Sequence, residues 1–256
     1  MLRKIWEIFV SCFRQVDLVL LALCTGTTLF GCLMIASATH YTGSYKNVVV
    51  QLAALCLGIV AYVLMSMLDL AEISKYWKWL LGGSLVLILL LKTPLGMESG
   101  GNRAWLGVGW QQTRSLLALG GGKLTGQGLF HGTQTQAKDA WSLPARHTDF
   151  IFSVIGEELG MLGCLFTIAL LAAIIFRCVL IARHAQQRMD MYICVGVAAM
   201  LIFQVICNIG MCLFVMPVIG LTLPFVSYGG TSIVTLFAAM GMASGIQKRA
   251  RPEWLR

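Results

Sequence analysis

The sequence predicts an all-α fold: a polytopic membrane helix bundle of about six transmembrane helices with one long extracytoplasmic loop. Three observations carry that expectation. Hydrophobic residues make up 58% of the 256 positions and charged residues 12%, against roughly a quarter charged in an ordinary soluble domain. Mean hydropathy is +0.80. Apolar runs recur at the roughly 20-residue length a helix needs to cross about 30 Å of hydrocarbon.

Six segments meet that length, at about 17–39, 48–68, 77–95, 150–176, 191–214 and 225–246. The start Met1–Arg14 is short and basic, and the apolar run after Asp17 is longer than the core of a signal peptide and lacks an obvious small-residue cleavage site. It therefore reads as a first permanent span. Short connections at His40–Asn47 and Asp69–Tyr76 make the first three spans antiparallel neighbours, a scaffold half. Residues 1–256 form a single integral membrane domain, within which 96–148 is the loop, rich in Gly, Gln and Thr. Loops of that length are usually functional or disordered.

With the N-terminus inside, the inner segments collect Arg3, Lys4, Arg14, Lys75, Lys78, Arg177, Arg183, Arg188, Lys248, Arg249, Arg251 and Arg256, leaving seven of the 19 basic residues outside. This bias predicts that both termini are cytoplasmic. A net charge of +8 in a soluble protein would raise the question of nucleic acid, but here the charges border spans and set orientation. The nine cysteines lie in or beside apolar runs with no Cys-x-x-Cys pair, so they read as small hydrophobes rather than a disulfide framework or metal site.

Gly120–Gly128 contains Gly122-Lys123-Leu124, which lacks the Gly-Lys-Ser/Thr order of a phosphate loop, and no strand precedes it. A bent membrane-surface segment with glycines at positive φ is expected, its backbone amides suited to an anion. Beyond it, Asp149, Glu157 and Glu158 stand at the mouth of an apolar helix. A charge near the bilayer centre costs roughly 2.5–3.5 kcal/mol on insertion scales, which makes such acids functional candidates. Asp149 has a second reading as a helix N-cap. Glu157, about 80° around the helix and roughly 12 Å deeper, shares the face of Asp149 with Ser153, while Glu158 points nearly opposite. Near the end, Asn208, Pro217, Gly220, Pro224, Ser227, Tyr228, Gly229, Gly230 and Ser232 mark broken backbone before the last helix. At membrane depth such backbone must line protein or water, or serve close packing through small residues.

The run Leu143-Pro144-Ala145-Arg146-His147-Thr148-Asp149-Phe150, continuing to Gly160, resembles the outer-loop signature of the RodA/FtsW/SpoVE family, the shape, elongation, division and sporulation (SEDS) proteins. Gly126-Gln127-Gly128-Leu129, Gly132-Thr133-Gln134-Thr135-Gln136 and Leu223-Pro224-Phe225-Val226-Ser227-Tyr228-Gly229-Gly230 are similar to further family motifs, and Arg103-Ala104-Trp105-Leu106-Gly107 to its Arg-x-Trp-Ile-Gly stretch. The wording leans toward RodA. Two family segments, Gln-Pro-Ser-Glu and Gln-Pro-Asp-Leu-Gly, are missing, so the chain passes near Gln111 or Gln112 from the loop after the third span into the loop after the usual seventh. Four skipped spans leave every later segment on its original side. Ala145 stands where the family commonly has Glu.

The resemblance implies a peptidoglycan glycosyltransferase of the bacterial inner membrane. It would polymerise lipid II, a disaccharide-peptide on a polyprenyl diphosphate, in cell-wall elongation, cell shape and division, beside a class B penicillin-binding protein. Asp149 matches the family's catalytic acid and is expected as general base. Arg103, Lys123, Arg146 and His147 are the cations for the diphosphate, and Trp105, Ser153, Glu157, Ser227 and Tyr228 complete the expected substrate contacts. No cofactor is required by the resemblance, and a divalent cation stays open. Two other readings stand beside it. One is a shortened, non-catalytic membrane partner of the penicillin-binding protein; the other is a lipid II flippase using Glu157 and Glu158.

Overall fold

The computed structural model describes residues 16–68, 75, 78, 81–82, 104–137 and 143–250, with only the backbone at 104–108. The expected span at 77–95 falls almost entirely outside these residues, as does Cys12. Six helices of 18 residues or more are described: α1 (Leu18–Thr39), α2 (Lys46–Met67), α3 (Ala104–Gly121), α4 (Ile151–His184), α5 (Arg188–Cys212) and α6 (Gly230–Ala250). Four of the described helices, α1, α2, α4 and α5, are long and apolar enough to cross a membrane. α6 carries more Gly, Ser and Thr and begins at Gly230, later than expected, because the chain from Leu213 to Gly229 is irregular.

Local chemistry explains where helices start and how closely they pack. Asp17 caps α1 by accepting from the Val19 and Leu20 N–H groups at 3.2 and 3.3 Å. α2 and α6 approach through small residues: a Cβ at Gly241 would lie 2.3 Å from the Tyr62 carbonyl oxygen, and one at Gly245 2.6 Å from that of Ser66. Such close backbone contact maximises dispersion where lipid supplies no hydrophobic drive.

One end of the bundle is tied by buried polar groups. Arg177 of α4 pairs bidentately with Asp17, at 2.9 and 3.1 Å. The Asp17 N–H donates to Ser244 Oγ at 2.9 Å, and Tyr62 Oη donates to the Asp17 carbonyl at 3.0 Å. Arg249 reaches Asp190 at 3.4 Å. These contacts tie α1, α2, α4 and α6 together, and α5 to α6, at the end opposite Asp149. The eight described cysteines carry no disulfide.

Much of the expected 96–148 loop that is described is helical and packs against α4. α3 runs beside the first turns of α4: Ser115 Oγ lies 2.5 Å from Ser153 Oγ and donates to the Cys212 carbonyl at 2.8 Å. Further along, a Cβ on Gly122 would strike the Gly156 carbonyl. The chain after α3 then meets a break in α4 at Gly160, where φ is 69° and ψ −163°. The break frees two carbonyls and two N–H groups, and the glycine-rich segment takes up all four. Gln127 and Gly128 donate to the Glu157 and Glu158 carbonyls at 2.9 and 3.0 Å, while Met161 and Leu162 donate to those of Lys123 and Leu124 at 3.0 and 3.3 Å. Backbone groups freed inside a helix and buried are tolerated only when so satisfied.

Candidate functional site

Asp149 closes a turn, residues 144–150, that leads into α4. The residue at the N-cap position is Phe150, with no side-chain cap hydrogen bond, so the capping reading of Asp149 does not hold. Its carboxylate is half-buried, and none of the described residues donates a hydrogen bond to it. Its main chain, by contrast, is held firmly: the Asp149 carbonyl accepts from Asn208 Nδ2 at 2.9 Å, and Cys212 Sγ lies 3.8 Å away. Gly220, at φ 73°, faces it closely enough that a Cβ there would lie 3.8 Å from Asp149 Oδ2. Burial pushes the Asp149 pKa above the ordinary carboxylate value, and neighbouring His147 draws it back down.

The turn is fastened to the chain before α6. Ser227 Oγ donates to the Thr148 carbonyl at 2.7 Å and accepts from the Leu223 N–H at 2.8 Å. The Tyr228 N–H donates to the His147 carbonyl at 2.9 Å, and the two rings stand 5.6 Å apart. Gln51 of α2 clamps the far side, donating to the Ser227 carbonyl at 3.0 Å and accepting from the Gly229 N–H at 3.2 Å. Asp149, His147, Ser227 and Tyr228 therefore share one site. Burial, then the positive Arg146, lowers the His147 pKa, with Asp149 opposing.

Other expected site residues lie elsewhere. The Arg146 guanidinium is buried, bonded to the Thr135 carbonyl and to that of Ala137 at 3.1 Å, and stacked 3.8 Å over the Tyr41 ring. Glu157, fully buried, accepts from Thr133 Oγ1 at 2.9 Å, the Gln134 N–H at 2.6 Å and the Thr135 N–H at 2.9 Å. Glu158 is equally buried and accepts from Ser37 Oγ at 2.5 Å, Thr135 Oγ1 at 3.1 Å and Gln136 Nε2 at 3.2 Å. The two acids anchor the Gly-Thr-Gln-Thr-Gln segment. Ser153 is buried against Ser115 rather than beside Asp149. Lys123 sits at the α4 break, eleven residues beyond Asp149 and so about 16 Å along the helix. Arg103 and the Trp105 side chain lie outside the described residues. Among those residues no group of three or more His, Cys, Asp or Glu side chains could hold a metal.

The fold and site define a polytopic helical membrane protein with a loop folded into a broken helix and an acid held at that helix's mouth. A family model for cell cycle proteins of the FtsW/RodA/SpoVE type matches residues 15–109 and 106–252, and the chain belongs to this family. The two matched stretches meet close to the junction expected near Gln111. Over 141 residues the chain is 43% identical to the peptidoglycan glycosyltransferase MrdB of Escherichia coli, covering 55% of this chain and 37% of that protein. Over 190 residues it is 35% identical to the probable peptidoglycan glycosyltransferase FtsW of Aliivibrio salmonicida, covering 70% and 46%. The matches thus span less than half the length of these relatives. The fold is similar to crystalline RodA, the rod shape-determining protein of Thermus thermophilus, with a TM-score of 0.68 at 23% identity over 93% of this chain and 98% of that one. It is also similar to a chain from a peptidoglycan synthase complex that coordinates polymerization and crosslinking, with a TM-score of 0.73 at 20% identity over 93% and 99%.

Proposed function

We propose that this chain is an inverting peptidoglycan glycosyltransferase that polymerises lipid II, with Asp149 as general base. The observation that carries the reading is the Asp149 carboxylate: half-buried, fixed through its main chain, and engaged by none of the described donors. In the reaction it takes the proton from the 4-hydroxyl of one unit's GlcNAc as that oxygen bonds to the anomeric carbon of another unit's MurNAc. The bond from that carbon to the diphosphate breaks on the opposite face, and polyprenyl diphosphate leaves. A pKa raised toward the working pH makes a carboxylate a better base.

The leaving diphosphate needs a cation. Of the four cations the family resemblance implies, Arg146 is occupied by loop carbonyls and Lys123 lies at the α4 break, which leaves His147 and Arg103 as the candidates for this role. The basic residues at the ends of α4, α5 and α6 support the reading in which the termini are cytoplasmic and Asp149 faces the outer side of the inner membrane. A class B penicillin-binding protein is the expected partner.

Incubating the purified chain in liposomes with lipid II tests the reading. Glycan polymer is the expected product. Absence of polymer together with stable co-purification of a class B penicillin-binding protein would instead support the non-catalytic partner, which the short span of the relatives covered favours.

A further inference from the structure

We infer that Gly220 shapes the acceptor side of the site: the space left by its missing side chain takes the sugar carbon whose hydroxyl Asp149 deprotonates. The inference rests on the glycosyltransferase reading above and deepens it by a specificity-determining residue from the chain between α5 and α6.

Gly220 is exposed and Asp149 is half-buried, so the gap between them is open from outside. A Cβ built on Gly220 would stand 3.8 Å from Asp149 Oδ2, and apart from its chain neighbours no other heavy atom of the described residues lies within 4 Å of that point. The position is therefore an accessible niche bordered by the oxygen proposed to take the proton. Its width is fixed by hydrogen bonds on both sides of Gly220. Asn208 Nδ2 donates to the Asp149 carbonyl at 2.9 Å and to the Leu221 carbonyl at 2.7 Å, which ties the residue after Gly220 to the residue that carries the base. Four residues before Gly220, the Met216 carbonyl accepts from Gln112 Nε2 of α3 at 2.6 Å.

The dimensions of the niche match an alcohol. A hydroxyl that donates to a carboxylate oxygen at about 2.7 Å places its own carbon about 3.6 Å from that oxygen. A side-chain carbon on Gly220 and the 4-carbon of GlcNAc therefore claim the same place. In the free protein such a carbon would meet Oδ2 at ordinary contact distance and cause no clash; what it would displace is the acceptor. The backbone makes a second demand, since φ at Gly220 is 73°, a conformation costly for most side chains and cheaper for Asn. Asparagine thus satisfies the backbone while filling the niche, and alanine strains the backbone while filling it less. The two demands on this glycine can be separated by experiment.

Wild type, Gly220→Ala and Gly220→Asn are compared in liposomes for the initial rate of polymerisation from lipid II, for lipid II binding and for thermal melting. Gly220→Asn is expected to melt closer to wild type than Gly220→Ala. Both variants should polymerise roughly tenfold to a hundredfold more slowly, with Gly220→Asn no faster than Gly220→Ala, and both should still bind lipid II through its donor half. A Gly220→Asn rate above that of Gly220→Ala would follow backbone strain rather than space and would overturn the inference. So would a wild-type rate in either variant, or loss of binding in step with the rate. If Gly220→Ala does not fold, Gly220→Asn against wild type decides it, a tenfold loss supporting the inference and an unchanged rate overturning it. In each of these outcomes polymer made by wild type leaves the glycosyltransferase reading intact; wild type that makes no polymer would overturn both.

Discussion

Gly126 and Gly160 meet backbone to backbone: a Cβ built on Gly126 would lie 2.7 Å from the Gly160 nitrogen, and the two residues take φ of 82° and 69°. Neither tolerates a side chain, for conformational and steric reasons together. Gly126→Ala is expected to destabilise the protein by on the order of 3 kcal/mol, from left-handed strain plus overpacking against the Glu158 carbonyl. Thermal melting in detergent checks it; an unchanged midpoint would mean that the loop does not sit in the α4 break.

Glu157 and Glu158 are expected to act on loop order. Glu157→Ala leaves the Thr133 hydroxyl, the part-buried Gln134 N–H and the buried Thr135 N–H without their acceptor, a loss of about 1–3 kcal/mol for the buried group. Hydrogen exchange should accelerate across residues 127–137 in this variant while the α2–α6 contact stays protected. Unchanged exchange there would separate Glu157 from the loop.

Arg146→Lys keeps the charge but loses the planar fork that reaches the Thr135 and Ala137 carbonyls and the face that covers Tyr41. Arginine and lysine are not equivalent at such a position. A loss of about 1–2 kcal/mol is expected, with the cation–π contact supplying part of it. If Arg146 instead served the diphosphate, the lysine variant would keep its melting temperature and show a raised KM for lipid II.

Asp149 gives stability and activity opposite pH slopes. Burial raises its folded pKa above the ordinary carboxylate value. A raised acid favours the folded state below its unfolded pKa and loses that advantage as pH climbs through the folded value. Proton abstraction needs the ionised form, so polymerisation should rise across the same window in which this contribution to stability falls. Asp149→Asn should remove the titration from the stability curve; a pH-independent rate through the acid range would contradict the assignment.

Much of the arrangement was legible in the sequence. Hydrophobic run length fixed the spans at α1, α2, α4 and α5, and the Arg146–Gly160 and Leu223–Gly230 motifs marked the segments that meet around Asp149. Helix α3 was hidden because its Gln, Thr, Arg and Gly composition reads as loop, and its packing depends on partners in α4 and α5 that only the fold supplies. Glu157 misled for a related reason: helical phase placed it on the face of Asp149, but Asp149 precedes the helix, and the acid turns to the donors of Thr133, Gln134 and Thr135. Asn208 was visible as a polar residue in an apolar run, yet its link to Asp149 and Leu221 is tertiary.

The most direct measurement is the initial rate of glycan polymerisation from lipid II by the wild-type chain and by Asp149→Asn, side by side in liposomes at one pH with matched amounts of folded protein. Removal of a general base predicts a rate lower by about 10²–10⁴-fold in the variant, with lipid II binding retained. Equal rates in the two proteins would contradict the account.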